Sequence, residues 1–260
     1  MKRIEKIKTW LSTDWKETKI LFRSIPALPF ALLCAALIAM NFLANKTIVN
    51  ESWIGIDAGI MVSWIAFLAG DMIVKRFGPK AALKVNLAAV GVQLVAVALF
   101  AIGGSLPWGR NALFTPEDFM WAANVDGLFK GSLWPLAAGT AAFVVGISVD
   151  VFLNWAIFKR FKNKRSFKAY AVSSYASTMI AQFVDNVVFG LLFTVLAGYM
   201  EFSAVWMFGA VGAVVELVCQ IVLSPVGYRI SESWRKDDVG KEYIDFVEEA
   251  QKANESVEGN

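Results

Sequence analysis

The chain has 260 residues, of which 57% are hydrophobic and 18% charged, with a formal net charge of +3. An ordinary soluble domain is about 45–50% apolar; here the apolar residues gather into long runs, which marks a polytopic membrane protein. Histidine is absent, which excludes Ser-His-Asp and Cys-His nucleophile systems and the usual zinc sites.

Residues 1–25 are rich in Lys and Arg, and Ile4, Ile7 and Leu11 recur at helical spacing. They predict a basic amphipathic helix on the inner leaflet or a solvated tail that sets topology. No cleavable signal peptide is predicted. Six spans follow, at residues 26–44, 56–74, 81–102, 133–158, 169–197 and 203–228. Between the third and fourth lies an outer, cap-like segment at residues 103–132, with Pro107, Trp108, Pro116 and Trp121 suited to a membrane–water interface. Residues 229–260 form a charged tail, a short amphipathic helix that frays at ESVEGN. Cys34 and Cys219 fall inside apolar runs and read as small core residues.

The fold class is therefore all-α, a six-helix transmembrane bundle (residues 26–228) between two cytoplasmic flanks. Charge fixes the orientation. Lys75, Arg76, Lys80 and Lys84 follow the second span, and Lys159, Arg160, Lys162, Lys164, Arg165 and Lys168 follow the fourth. The opposite loops carry only Lys46, Arg110 and Lys130. By the positive-inside rule both termini are cytoplasmic, and this pattern makes nucleic-acid binding the weaker account of the basic residues.

The spans hold polar residues that a bilayer does not tolerate idly. Ser174, Thr178, Gln182, Asp185 and Asn186 form one stripe of the fifth span. Asp150 and Asn154 are four apart on the fourth, and Glu216 and Gln220 four apart on the sixth. A charge at the bilayer centre costs about 2.5–3.5 kcal/mol on insertion scales. Counting about 1.5 Å per residue, Asp150, Asp185 and Glu216 are expected at one level, with no Lys or Arg deep enough to neutralise them. Such acids must protonate, share protons or await a cation. Asn154, Gln182, Asn186 and Glu216 join Asp150 and Asp185 as expected ligand-binding residues, whereas Asn41 suggests a hydrogen bond between helices. Phe152, Trp155, Phe183, Phe189 and Trp206 are candidates to stack on a flat guest. Asp71 is expected at the interface, paired with Arg76 or another loop base as a topology or gating element. Asn86 and Gln93 suggest hydrogen bonds between helices. No metal or cofactor is expected.

The segments FLAGDMIVKRFG, AAFVVGISVDVFLNWAIFKRFK and SSYASTMIAQFVDNVVFGLLF resemble the queuosine precursor transporters, also called the vitamin uptake transporter family. That family ends its second span in an Asp followed by a basic residue, Phe or Tyr, and Gly. Its fourth span carries Gly-Gln-x-x-Asp with basic residues after, and its fifth a polar residue three before an Asp-Thr. The resemblance runs roughly over residues 41–228 and marks Asn41, Asp71, Asp150, Gln182 and Asp185. The chain departs from it at Ile147, where the family has Gln, at Asn186, where it has Thr, and at Glu216, where many members carry Lys.

The resemblance implies inner-membrane uptake of 7-cyano- or 7-aminomethyl-7-deazaguanine for transfer-RNA modification. Another nucleobase or a vitamin, or service as the substrate-binding subunit of a larger importer, is the alternative. An intramembrane aspartyl protease needs Gly-x-Gly-Asp, and Leu68 stands in the first Gly position. A non-transporting scaffold would leave the buried acids dispensable. Small-residue stripes permit a homodimer.

Overall fold

The structure, a computed structural model, describes residues 2–51, 54–107, 115–131, 133–196 and 201–258. Helix α1 (Lys2–Ser24) meets α2 (Ala27–Leu43) at an angle of 100°. Pro26 sets that corner, since its ring holds φ at −59° with an extended ψ of 132°, and it has no N–H to continue the ladder.

After α2 comes an antiparallel hairpin of β1 (Thr47–Glu51) and β2 (Ile54–Asp57). It is the exception to the all-α expectation. Thr47, Ile48, Val49 and Ile56 are β-branched residues that suit a short pleated pair. Because Ile56 and Asp57 belong to β2, α3 (Ile60–Phe77) begins four residues later than the second span was expected to.

Helix α3 stops at Gly78, whose φ of +85° is a conformation that side chains resist, and Pro79 starts α4 (Pro79–Gly103) at once. Helix α5 (Pro116–Gly131) lies in the expected outer segment, of which Trp108 and Arg110 lie outside the described residues. Next come α6 (Leu133–Phe158) and α7 (Phe167–Phe189), the latter capped by Ser166, whose hydroxyl accepts from Ala169 N at 3.1 Å. A π-helical turn, Gly190–Val195, extends α7. Helix α8 (Val205–Lys236) runs eight residues past the expected end of the sixth span. Pro225 sits inside it without breaking it: the carbonyl of Ile221, which Pro225 leaves without an amide donor, takes a bond from Ser224 Oγ at 2.9 Å.

Among the described residues four helical stretches are long and apolar enough to cross a membrane: α4, α5 with α6, α7 with its π turn, and α8 with the turn before it. The bent α1–α2 pair makes a fifth. Helix α2 alone has only 17 residues, and α3 carries Asp71, Lys75 and Arg76. The molecule is an α-helical membrane bundle.

Helices α6, α7 and α8 pack as consecutive neighbours, with α3 against α8, α2 and α6. The largest core lies between α2, α3, α4 and α6, around Leu33, Leu37, Phe67, Ile73, Val85 and Phe143. Phe67 and Phe143 meet edge to face at 6.1 Å. Apolar side chains on the far faces, such as Val95 and Leu99 of α4 and Val222 of α8, are exposed, as a lipid-facing surface requires.

At the end of the bundle away from the hairpin, α1 packs on α9 (Lys241–Glu258). Glu17 is buried there, accepting from Lys80 Nζ at 2.5 Å and from the Tyr243 hydroxyl at 3.2 Å. Ion-pairing to Lys84 holds the Asp14 carboxyl below the usual carboxylate range. The tail is thus ordered helix through the ESVE of the stretch expected to fray, while Gly259 and Asn260, and the side chains of Ile4, Ile7 and Leu11, lie outside the described residues.

Candidate functional site

Three acids meet at the hairpin end of the bundle. Glu216 on α8 accepts from Ser63 Oγ on α3, in a short bond, and from Asn186 Nδ2 on α7 at 3.1 Å. Asp185, one residue before Asn186, keeps its Oδ1 without a partner in the protein. Asp57, at the end of β2, accepts from Gly59 N at 2.7 Å. Asp57 is close enough to repel both Asp185 and Glu216.

These acids line one pocket of about 560 Å³, open mouth included. Asn41, Ser63 and Asn186 add neutral donors and acceptors, and Phe189 and Phe208 add aromatic faces. Among the described residues no Lys or Arg lines it. Burial pushes the Asp57 carboxyl up to about 6, against the opposing pull of the Gly59 and Ile60 backbone N–H groups.

Glycines bring the helices close enough to make it. A Cβ at Gly212 would lie 2.7 Å from Asn186 Nδ2, and one at Gly146 would lie 2.8 Å from Asp185 Cβ. At Gly139 it would collide with the Asn41 carboxamide, whose nitrogen is held on Leu37 O at 3.0 Å. The small residues of α6 and α8 therefore seat the polar side chains of α2 and α7.

The expected single level of acids divides in two. Asp150 and Asn154 are not among the pocket residues; they belong to a second cluster, nearer the α1/α9 end. There Asp71 accepts from Asn154 Nδ2 in a short bond and from Gln220 Nε2 at 2.5 Å. Lys75 donates to Asn154 Oδ1, also in a short bond, and to Ser174 Oγ at 3.4 Å. Its ammonium lies 4.8 Å from the Phe158 ring centroid and 5.2 Å from that of Tyr170.

Asp71 is fully buried within the protein. Its cation is Lys75, the other base in the last turn of α3, while Arg76 Nε donates to Val239 O at 2.8 Å. One expectation is corrected: the buried acids do not all lack a base, because the Lys75 side chain folds inward, is only 5% exposed and attracts both Asp71 and Asp150.

Between the pocket and the cluster stands Gln182, fully buried, with neither end of its amide partnered. Of the candidate stacking residues only Phe189 lines the pocket; Phe152 is 70% exposed and Trp206 half exposed. Phe208 was not anticipated, nor was Asp57. Gln93 bonds Thr140 across α4 and α6 at 2.9 Å, as its position suggested.

The family described as Putative vitamin uptake transporter matches residues 57–230, more than half of the chain. The chain belongs to this family. The matched stretch opens on Asp57 itself and closes two residues after Tyr228, so it contains every acid of the pocket and of the Lys75 cluster. A small-molecule uptake transporter in a membrane is thus the established class, and queuosine precursor transporters fall within it. No curated protein and no solved structure matches the chain.

Proposed function

We propose that this family member imports queuosine precursors across the cell (inner) membrane, 7-aminomethyl-7-deazaguanine in preference to its 7-cyano counterpart, to supply transfer-RNA modification. The observation that carries this reading is the pocket's composition: Asp57, Asp185 and Glu216 with Asn41 and Asn186, two phenyl rings and no base. Carboxylates and amides match the donor and acceptor edge of a guanine-like ring, and an excess of negative charge favours the aminomethyl cation. Asp150, Asn154 and Gln182 then line the way inward from the pocket, and Asp71 with Lys75 takes the gating role expected of Asp71 with a loop base.

The transporting unit is residues 26–228, with residues 1–25 and 229–260 as flanks. Its six spans are α2, α3, α4, α6, α7 and α8, and both termini are cytoplasmic. Supporting this, Lys75, Arg76, Lys80 and Lys84 sit at the α1/α9 end, while the hairpin end carries Lys46. The pocket then opens outward, and the small-residue faces leave room for a homodimer.

The test is uptake of labelled 7-deazapurines into cells that cannot make them, for wild type and for Asp185→Asn and Glu216→Gln. Uptake that depends on both acids and is competed by deazapurines but not by purines or vitamins is expected. Competition by a vitamin instead, which the family's description favours, would replace the substrate and keep the pocket.

A further inference from the structure

One helical turn below the pocket, at the edge of the Lys75 cluster, lies a set of polar atoms without hydrogen bonds of normal geometry. Asp150 on α6 is fully buried, and neither carboxylate oxygen has a hydrogen bond of normal geometry. Beside it on α7 are Ser177 and Thr178, whose hydroxyls approach the carboxylate without a hydrogen bond of normal geometry, and one turn further Gln182, unpartnered at both ends of its amide. On α8, Gln220 spends its nitrogen on Asp71 and leaves Oε1 free. None of these side chains is more than 1% exposed.

Helix register brings them together. On the antiparallel α6–α7 pair, Gly146 faces Ala181 and Asp185, and Asp150 faces Ser177 and Thr178. On the antiparallel α7–α8 pair, Asn186 meets Gly212 and Glu216 while Tyr175 bonds Ser224 at 2.5 Å. Gln220 therefore falls opposite the turn from Thr178 to Gln182. Three helices thus aim unpartnered oxygens at one level of the bundle, where hydrocarbon outside offers no substitute partner.

The charges nearby do not cancel. Asp71 and Asp150 face the Lys75 ammonium, which is committed to Asn154 and Ser174, while the next cation, Arg235, is paired with Glu232. One carboxylate is left over, ringed by neutral oxygens from a hydroxyl and two amides. Among the described residues no three acidic or sulfur groups converge as a divalent or transition-metal site would need. An oxygen-only shell with a single negative charge suits one hard monovalent ion.

We propose that Asp150, Thr178, Gln182 and Gln220 form a second site, beneath the pocket, that takes one desolvated sodium-sized cation. Its position makes it a coupling site: the same α7 face presents Gln182 to the ion and Asp185 to the pocket. The proposal rests on the family's transport activity and not on the identity of the substrate, so its test uses the ion alone.

Purified full-length protein in detergent is melted in sodium chloride and in choline chloride at equal ionic strength. Sodium is expected to raise the midpoint in a saturable way that choline does not reproduce. Asp150→Asn should abolish that rise. Thr178→Val and Gln182→Leu, which leave every charge in place, should weaken the apparent sodium affinity about tenfold, and they serve if Asp150→Asn does not fold. Identical curves in the two salts overturn the site, as does a sodium effect that survives all three substitutions. A midpoint that follows pH and ignores sodium assigns the charge to a proton shared among Asp150, Asp71 and Lys75, and also overturns the ion.

Discussion

Asn186 donates to Glu216 across the α7–α8 seam at 3.1 Å, and it can do so because residue 212 has no side chain. The carboxamide occupies the space a Cβ would need. Gly212→Ala therefore has to push Asn186 off Glu216, leaving a buried carboxylate with one donor fewer. A bond to a charged group contributes about 1.5–3 kcal/mol, so substrate affinity should fall roughly ten- to hundredfold while the protein still reaches the membrane. Uptake kinetics beside membrane abundance check this, and unchanged affinity would mean that the pair is only structural.

Glu216→Gln separates charge from shape. The amide keeps the size of the side chain and, through its oxygen, the bond to Ser63, but it removes the negative charge and the acceptor for Asn186. Uptake of an aminomethyl cation should drop about tenfold or more, and uptake of the neutral cyano compound should change less. Competition assays with the two compounds give the ratio directly. Equal losses for both would argue that the pocket reads the ring and ignores the amine.

Asp57 gives the pocket a pH dependence with a definite sign. Burial lifts its carboxyl to about 6, above the ordinary aspartate value of about 3.9, so the folded protein holds this proton through a range where the unfolded chain has lost it. Ionisation of Asp57 therefore costs stability as pH rises from about 4 to about 6, and it adds a negative charge to the pocket over the same approach to neutrality. Binding of a cation should tighten as pH rises through about 6. Asp57→Asn should flatten that part of the profile and raise thermal stability above pH 6. Binding measured from pH 5 to 7.5 on both proteins tests the assignment.

The parts of the site legible in the sequence are those where polarity contradicts its surroundings. Asp185, Asn186 and Glu216 stand out because hydrocarbon penalises them and helical spacing puts them on one face. Asp57 stayed hidden because an acid at a predicted span boundary looks like an ordinary interfacial residue. Only the hairpin, whose four- and five-residue strands are too short to announce themselves, folds it back over the pocket. Lys75 was misplaced for a related reason. A lysine one turn from a helix end normally snorkels outward, and nothing in the local sequence reveals that Asn154, Phe158 and Tyr170 from two other helices draw it in. The separation of Asp150 from Asp185 was invisible too, since rise per residue gives depth but not which neighbour each face meets.

Lys75 and Asp71 should behave as a coupled pair. Removing one of two directly paired buried charges costs about 3–5 kcal/mol, because the partner is left unmatched; here Asn154 bridges the two, so the cost is smaller but of the same sign. Lys75→Met should accordingly lower the melting temperature and the membrane abundance. Asp71→Asn, placed in the Lys75→Met background, should recover part of the loss, giving a favourable interaction energy in a double-mutant cycle. Arg76→Ala removes the bond to Val239 and leaves Asp71 untouched, so it should not couple to Asp71→Asn at all. Strict additivity between the substitutions at positions 71 and 75 would contradict the pairing.

The α1/α9 end offers a test confined to one substructure. Gly240 has φ +75° just before α9, and a Cβ there would collide with the Phe77 ring at the end of α3. Gly240→Ala thus meets both a strained backbone, of order 1–3 kcal/mol, and a steric clash. The cheapest relief is to let α9 lift away from Phe77, which takes the Tyr243 hydroxyl from Glu17 and loosens α1. Amide hydrogen exchange should therefore accelerate in α1 and α9 together, with the middle of α6 and α7 unchanged because those stretches pack chiefly on each other and on α8. Since Arg76 on α3 is tied to Val239 in the same turn, a smaller acceleration at the end of α3 is also expected. Faster exchange spread over the whole bundle would show instead that the docked termini help hold the membrane helices together.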